Sequence, residues 1–238
     1  VTTGKDQFRT QVTAFDFGWY LNKNEEVYQF NNPISECIKK ICTQFAITVG
    51  NIANIPIVYK KISRGTLSDI IKELLEYATK MNGIKYVPHM RDGKFYVEAQ
   101  SNAVVVYNSD VFGVNVDVTM LFENTTVTRS IENLINRVKV TQDSENSIKV
   151  LATKQDQPSI LKYGQIQKLE TLSKEENKNA LNVATSQLKL LNKVAENFSI
   201  TLPGVIDCRA GKVLQFDDDI IPIKGIYRIK QCNHNINS

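Results

Sequence analysis

Cysteine and histidine are the residues of this chain best suited to bind a metal or to act as nucleophiles. The chain has two histidines and four cysteines. Cys232 and His234 stand two positions apart, so on an extended strand both side chains point to the same side. His89 follows Pro88 near a turn signal. A zinc site needs three or four converging ligands, and no second pair is evident. We therefore expect no metal, no cofactor, and surface positions for both histidines.

Paired carboxylates are the second candidate chemistry, because glycoside cleavage uses two acidic side chains across a cleft. The acidic residues considered are Glu25, Glu26, Glu73 and Glu76. Glu73 and Glu76 fall on the polar face of a predicted helix, where ordinary solvation explains them. Trp19 is interpreted as a packing anchor rather than a sugar platform.

Three adjacent carboxylates at 217–219 could hold Ca²⁺ or form a solvated turn. The alternating acidic spacing of a calcium loop is absent, which favours the turn. The sequence also has no Gly-x-Ser-x-Gly elbow, P-loop or dinucleotide-binding motif. We expect no catalytic residues and a chain that is not an enzyme.

The composition is that of a globular protein. Of 238 residues, 42% are hydrophobic and 23% are charged, and the net charge is +4. Lysines alternate with acidic residues instead of clustering, so no sequence-specific nucleic-acid binding is expected. No apolar run approaches the roughly 20 residues that span a bilayer, so no membrane insertion is expected. Cys37 and Cys42 point about 140° apart on a predicted helix, which favours free thiols in a reducing compartment.

Residues 1–102 divide into two zones that would position these side chains. Residues 1–30 hold one strand, Gln11–Phe17, whose partners must lie elsewhere, and residues 31–102 form a small α/β domain. Its first helix is predicted to begin at Asn32-Pro33, with Asn32 as N-cap. A second helix runs from Thr66 to Asn82-Gly83, and the Asp-Gly pair at 92–93 predicts a hairpin.

Residues 103–238 are predicted to be mostly β, with one helix at about 173–196 that begins at a Ser173/Glu176 capping box. An unusually long strand covers Val114–Phe122, and one of its faces carries Asn115, Asp117 and Thr119. Several further antiparallel strands favour a barrel or sandwich. The predicted fold class is α+β: a β-barrel or sandwich-like tube domain with one long helix, plus the small α/β domain with two helices and a hairpin.

Short segments in a fixed order along nearly the whole chain carry a family resemblance. The main ones are Thr10–Asp16, Val27–Phe30, Gly65–Ile70, Leu134–Val140 and Gly225–Lys230. Together they resemble XkdQ-like proteins, the baseplate hub proteins of PBSX-type phages and related contractile tail particles, which are distantly similar to the late control D hubs. Family members normally carry an additional N-terminal β domain, so residues 1–30 are expected to be the end of a domain otherwise absent here.

The resemblance implies a structural role without catalysis. Such hubs are similar to a trimer of double-barrel subunits that connects the tail tube to the central spike. The implied partners are the tail tube protein, the spike protein, the tape-measure protein and a LysM-containing baseplate protein. The implied location is the tail baseplate, after synthesis in the bacterial cytoplasm. In this setting Asn115, Asp117 and Thr119 are candidate lumen or interface positions. The alternative is a peptidoglycan-binding or peptidoglycan-hydrolysing module.

Overall fold

A computed structural model describes residues 3–6, 9–12, 18–100, 127–144, 147–201, 208–216 and 225–234. In this part of the chain, helices accompany several two- and three-stranded sheets, and none of these sheets closes into a barrel. The α+β prediction is confirmed, and the tube-like barrel stays a prediction. No helix in the described ranges is long and apolar enough to cross a membrane.

The first strands and helices lead into an α/β unit. Strands β1 (Thr3–Asp6) and β2 (Arg9–Val12) pair antiparallel, so the prediction that residues 1–30 hold one strand with its partners elsewhere is wrong. Residues 13–17 of the predicted strand lie outside the described ranges. Helix α1 (Gly18–Lys23) and strands β3 (Glu25–Gln29) and β4 (Asn32–Pro33) follow.

Helix α2 (Ile34–Gln44) buries the stripe that the sequence indicates. Ile34, Cys37, Ile38, Ile41 and Cys42 are almost fully enclosed. The prediction of Asn32 as the N-cap is wrong, because Asn32 and Pro33 pair with strand β6 (Val58–Tyr59), and Pro33 takes the capping position without a side-chain hydrogen bond. The first amides of the helix, those of Ile34 and Ser35, donate instead to the carbonyl oxygens of Ile57 and Ile55.

The rest of this unit follows the prediction closely. Strands β5 (Val49–Ile52) and β7 (Ile62–Thr66) precede helix α3 (Leu67–Asn82). The Thr66 side chain accepts a hydrogen bond from the Asp69 amide, and Gly83 ends the helix in the left-handed region. Strands β8 (Tyr86–Arg91) and β9 (Lys94–Ala99) form the expected hairpin, and β5 lies parallel to β9. The buried faces of α2 and α3 form one hydrophobic core.

A second core lies in the C-terminal half. Strands β11 (Arg137–Ser144), β12 (Ser147–Gln155) and β13 (Gln167–Thr171) form a sheet with β11 in the centre. Helix α4 (Gln157–Tyr163), which the sequence reading missed, connects β12 to β13. The expectation of purely antiparallel strands is wrong here, because this crossover returns the chain parallel to β11.

The helix predicted at 173–196 is shorter and less regular than expected. A 3-10 helix (Lys174–Asn179) with the predicted Ser173/Glu176 capping box leads into α5 (Ala180–Leu191). The buried side of α5 is formed by Ala180, Val183, Ala184 and Gln187, and Leu181 is exposed. The helix ends early because residues 195–197 instead form strand β14 (Ala195–Asn197), which pairs with β10 (Thr128–Ser130).

The chain ends in a short antiparallel ladder. Strand β15 (Val213–Phe216) pairs with β16 (Gly225–Arg228). The acidic run at 217–219 lies outside the described residues.

Candidate functional site

The sequence-predicted interface positions cannot be placed. Asn115, Asp117 and Thr119, with the strand Val114–Phe122, lie outside the described residues.

The histidines lie in two separate settings. His89 pairs with Tyr96 across the hairpin, and the two rings stack with centroids 5.3 Å apart. The His234 Nε2 atom lies 3.4 Å from the Cys232 Sγ and 3.0 Å from the Cys208 carbonyl oxygen. The structure thus brings Cys232 and His234 together, as their spacing indicated. Within the described ranges, no group of three or more His, Cys, Asp or Glu side chains converges on a metal-sized site.

The cysteines are free thiols, as the sequence indicated. Burial raises the pKa of both Cys37 and Cys42 to about 11. Both therefore stay protonated near neutral pH and act as small apolar side chains in the core.

The candidate acidic residues have separate partners. Glu26 accepts hydrogen bonds from the Val27 amide and the Gln44 side chain. Glu73 accepts from the Tyr59 hydroxyl, and burial together with this bond raises the pKa of Tyr59 to about 12. Glu76 lies 4.0 Å from the Lys72 ammonium on the exposed side of α3. Glu26, Glu73 and Glu76 thus contact different groups, and these contacts assign no acid–base pair.

A charged cluster joins α3 to the second sheet. The Glu170 carboxylate on β13 lies 2.7 Å from the Lys80 ammonium of α3 and 2.7 Å from the Lys168 ammonium. The Glu170 side chain is only 13% exposed. Burial alone would raise the pKa of Glu170, but the hydrogen bonds from Lys168 and Lys80 outweigh it and lower the pKa below its ordinary value.

A second polar contact lies beside this cluster. The Tyr77 hydroxyl of α3 donates to the Glu176 carboxylate at 2.6 Å, and the Lys61 ammonium lies 3.8 Å from the same group. Glu176 also accepts from the Ser173 amide in the capping box. Burial alone would raise the pKa of Glu176, but the hydrogen bonds from Tyr77 and Ser173 and the charge of Lys61 outweigh it and lower the pKa. The two glutamates therefore fix α3 against the second sheet through charged hydrogen bonds.

Close backbone packing completes this junction. Gly83 has φ +74°, and a Cβ there would lie 2.9 Å from the Ser186 Oγ of α5. Met81 packs against the second core from the end of α3. The first and second cores are thus held together by α3.

The outer face of the β12–β11–β13 sheet carries exposed aliphatic side chains on its two edge strands. Lys139 pairs with Leu169, and Thr141 pairs with Val150, so these residues share the face opposite to Val138 and Val140. Val138 and Val140 are fully buried with α5. On the outer face Ile148 is 71%, Val150 53% and Leu169 58% exposed. We call this surface, formed by Ile148, Val150 and Leu169, the outer face.

A small cavity opens beside α1. It encloses about 280 Å³, and its walls include Tyr20, Asn24, Phe45, Ile47, Thr48 and Met90. Tyr20 is 51% exposed and meets Trp19, 39% exposed, edge to face with ring centroids 5.4 Å apart. The buried side chain of α1 is Leu21, and Trp19 as a packing anchor stays a prediction. We call Trp19 and Tyr20 the aromatic corner.

Comparisons with known proteins place the chain in a family. YqbQ of Bacillus subtilis (strain 168) is 29% identical over 230 residues, covering 93% of this chain and 68% of YqbQ. Phage-like element PBSX protein XkdQ of the same organism is 25% identical over 237 residues, covering 96% of this chain and 70% of XkdQ.

A solved structure shares the fold. The tail protein from Neisseria meningitidis MC58 superposes with a TM-score of 0.60 at 14% identity, covering 95% of this chain and 71% of that protein. The resemblance to XkdQ-like proteins is thereby confirmed. A family model described as YQBQ-like matches residues 1–238, and the chain belongs to that family.

Proposed function

We propose that this chain is a structural, non-catalytic component of a phage tail or a phage-tail-like particle. The observation that carries this proposal is the family match along all 238 residues, which includes a PBSX relative at 96% coverage of the chain. The fold shared with a tail protein across 95% of the chain supports it. Function belongs to sites rather than to folds, so the surfaces of this chain must supply the rest of the argument.

Within the tail, we propose that the chain is part of the baseplate hub, where it connects the tail tube to the central spike as a homotrimer. This finer role rests on the family resemblance. The proposed neighbours are the tail tube protein, the spike protein, the tape-measure protein and a LysM-containing baseplate protein. The proposed location is the tail baseplate of the particle, after synthesis in the bacterial cytoplasm.

The outer face supports an assembly role. Three large aliphatic side chains on the two edge strands, β12 and β13, are more than half exposed there. Covering these side chains with a partner would remove apolar area from water at about 25 cal/mol per Å², which makes them candidate contact residues. A sheet face also gives a rigid and flat surface, on which a partner needs little ordering of its own.

Asn115, Asp117 and Thr119 are proposed as lumen or interface positions from sequence alternation alone. Charge reversal or an apolar residue at Asp117 is expected to abolish particle assembly without unfolding the chain. Normal assembly of such a variant would count against the assignment.

The proposal is tested by complementation of a deletion strain. Ile148→Asp and Leu169→Asp, separately and together, are expected to leave the fold intact because both side chains already face water. Particle yield, counted by electron microscopy, should fall at least tenfold for the double variant. Circular dichroism of the purified variants separates loss of assembly from loss of fold.

A matched control comes from α4. Leu161 is 80% exposed, on a helix with no buried residue. Leu161→Asp therefore makes the same chemical change outside the outer face, and it should assemble like the parent. Normal particle yield from the outer-face double variant would contradict the assembly role of this surface.

A further inference from the structure

The aromatic corner and the adjacent cavity form a concave site that shares no residue with the outer face. α1 supplies Tyr20, the loop after α2 supplies Phe45, Ile47 and Thr48, and the end of β8 supplies Met90. At about 280 Å³, the cavity lies at the small end of ligand pockets, so it fits a single small ring or group better than a drug-sized molecule.

Most of the wall is apolar, but two polar side chains enter it. Asn24 donates its Nδ2 to the Tyr20 carbonyl oxygen at 2.8 Å, which fixes the amide and leaves its Oδ1 as an acceptor. Thr48 contributes a hydroxyl that can both donate and accept. The apolar part of the wall, formed by Phe45, Ile47 and Met90, can contact a methyl group of a ligand. The site therefore offers one amide-compatible edge, one apolar pocket and an exposed aromatic ring.

We propose that this site binds an N-acetylated amino sugar. The acetamido group needs both an apolar contact for its methyl and a hydrogen-bond acceptor for its N–H, and the cavity supplies these through the apolar part of its wall and the Asn24 Oδ1. The C–H face of a pyranose is weakly positive and stacks on the negative face of an aromatic ring, for which Tyr20 is exposed at the rim. Trp19, nearly perpendicular to Tyr20 at 83°, extends the aromatic surface toward a second sugar ring.

The polar groups favour a sugar over an aliphatic side chain from a protein partner. A leucine or isoleucine side chain would make no hydrogen bond to the Asn24 Oδ1 or to the Thr48 hydroxyl, so neither polar group would favour its binding. An acetamido sugar pairs with them. The inference does not depend on the proposed tail role, so either can fail alone.

The full chain is titrated with chitotriose, a β-1,4 trimer of N-acetylglucosamine. Cellotriose, with the same linkage and no acetamido groups, is the matched control ligand. Trp19 is the only tryptophan in the sequence, so its fluorescence reports on the aromatic corner directly. Amide NMR shifts of Asn24, Thr48 and Met90 locate the ligand. We expect saturable binding to chitotriose at about 1 mM, since a site of this size contacts few ligand atoms, and at least tenfold weaker binding to cellotriose.

Two variants test the geometry. Tyr20→Ala should weaken chitotriose binding at least tenfold, and Thr48→Val, which keeps the shape of an exposed side chain, at least threefold. Tyr163→Ala on α4 removes a tyrosine outside the cavity walls and should bind like the parent. Circular dichroism confirms that each variant is folded, and Thr48→Val keeps the test decisive if Tyr20→Ala is unstable.

Several results would overturn the proposal. They are the absence of saturation up to roughly fifty times the expected constant, equal binding of cellotriose, or unchanged binding by Thr48→Val. Tighter binding of a short apolar peptide than of chitotriose at the same amides would assign the cavity to a protein partner instead.

Discussion

Replacing Glu170 by Gln should weaken the junction between α3 and the second sheet. The substitution keeps the shape of the side chain and removes its charge, leaving the Lys80 and Lys168 ammonium groups without their anion. Breaking one partner of a buried pair costs about 3–5 kcal/mol. The Lys80 side chain is 25% and the Lys168 side chain 38% exposed, so water recovers part of that loss. We expect a decrease of about 2 kcal/mol in the free energy of unfolding.

The pH dependence gives a second readout for the same variant. The pKa of Glu170 is lowered in the folded chain, so its stabilising contribution is fully present above the unfolded value of about 4.3. It is lost as the pH falls through the lower, folded pKa. Urea unfolding curves between roughly pH 7 and pH 3 should therefore show a steeper acid loss of stability in the parent than in Glu170→Gln.

Glu76→Gln is the matched control, because Glu76 makes an exposed ion pair with Lys72 in the same helix region. Exposed pairs contribute at most about 0.5 kcal/mol, so this variant should be nearly neutral. If Glu170→Gln is as stable as Glu76→Gln, with an unchanged acid slope, the charged cluster does not hold the junction and the reasoning is refuted.

Substitutions at three further positions test the packing of the fold, with the free energy of unfolding measured in urea. Gly83→Ala should lower the free energy of unfolding by about 1–2 kcal/mol, because the backbone is left-handed there and the added methyl meets Ser186. A decrease below about 0.5 kcal/mol would argue against that close approach. Thr66→Ala removes the capping hydrogen bond of α3 and should lower the free energy of unfolding by about 1 kcal/mol. Thr66→Ser keeps the hydroxyl, so its decrease should be much smaller. Ile38→Ala should lose about 2–5 kcal/mol and Ile38→Val about 1 kcal/mol, and equal losses would show that the core relaxes around the site.

Local signals in the sequence predict the first unit well. The Thr66 cap, the terminating Gly83 and the Asp-Gly turn at 92–93 each act over a few residues, and each appears in the structure as expected. Helix α4 also carries local signals that the sequence reading missed: Asp156 accepts from the Ser159 amide, and Pro158 occupies the first turn. A systematic search for helix starts would have found it.

Long-range contacts account for most of what could not be predicted. Lys80 and Glu170 are ninety residues apart in the sequence, and neither residue type nor spacing indicates their meeting. The parallel pairing of β13 with β11 depends on the α4 crossover, so a prediction without that helix expects antiparallel strands instead. The cavity is built from α1, a loop and a hairpin, and only the folded chain brings Tyr20, Thr48 and Met90 together.

The tail role itself is tested most directly by locating the chain in purified particles. Cryo-electron microscopy of particles from the native host, combined with quantitative mass spectrometry, gives its position and copy number. The account predicts three copies per particle at the joint between tube and spike. Purified, intact particles that lack the chain, or that carry it elsewhere, would contradict it.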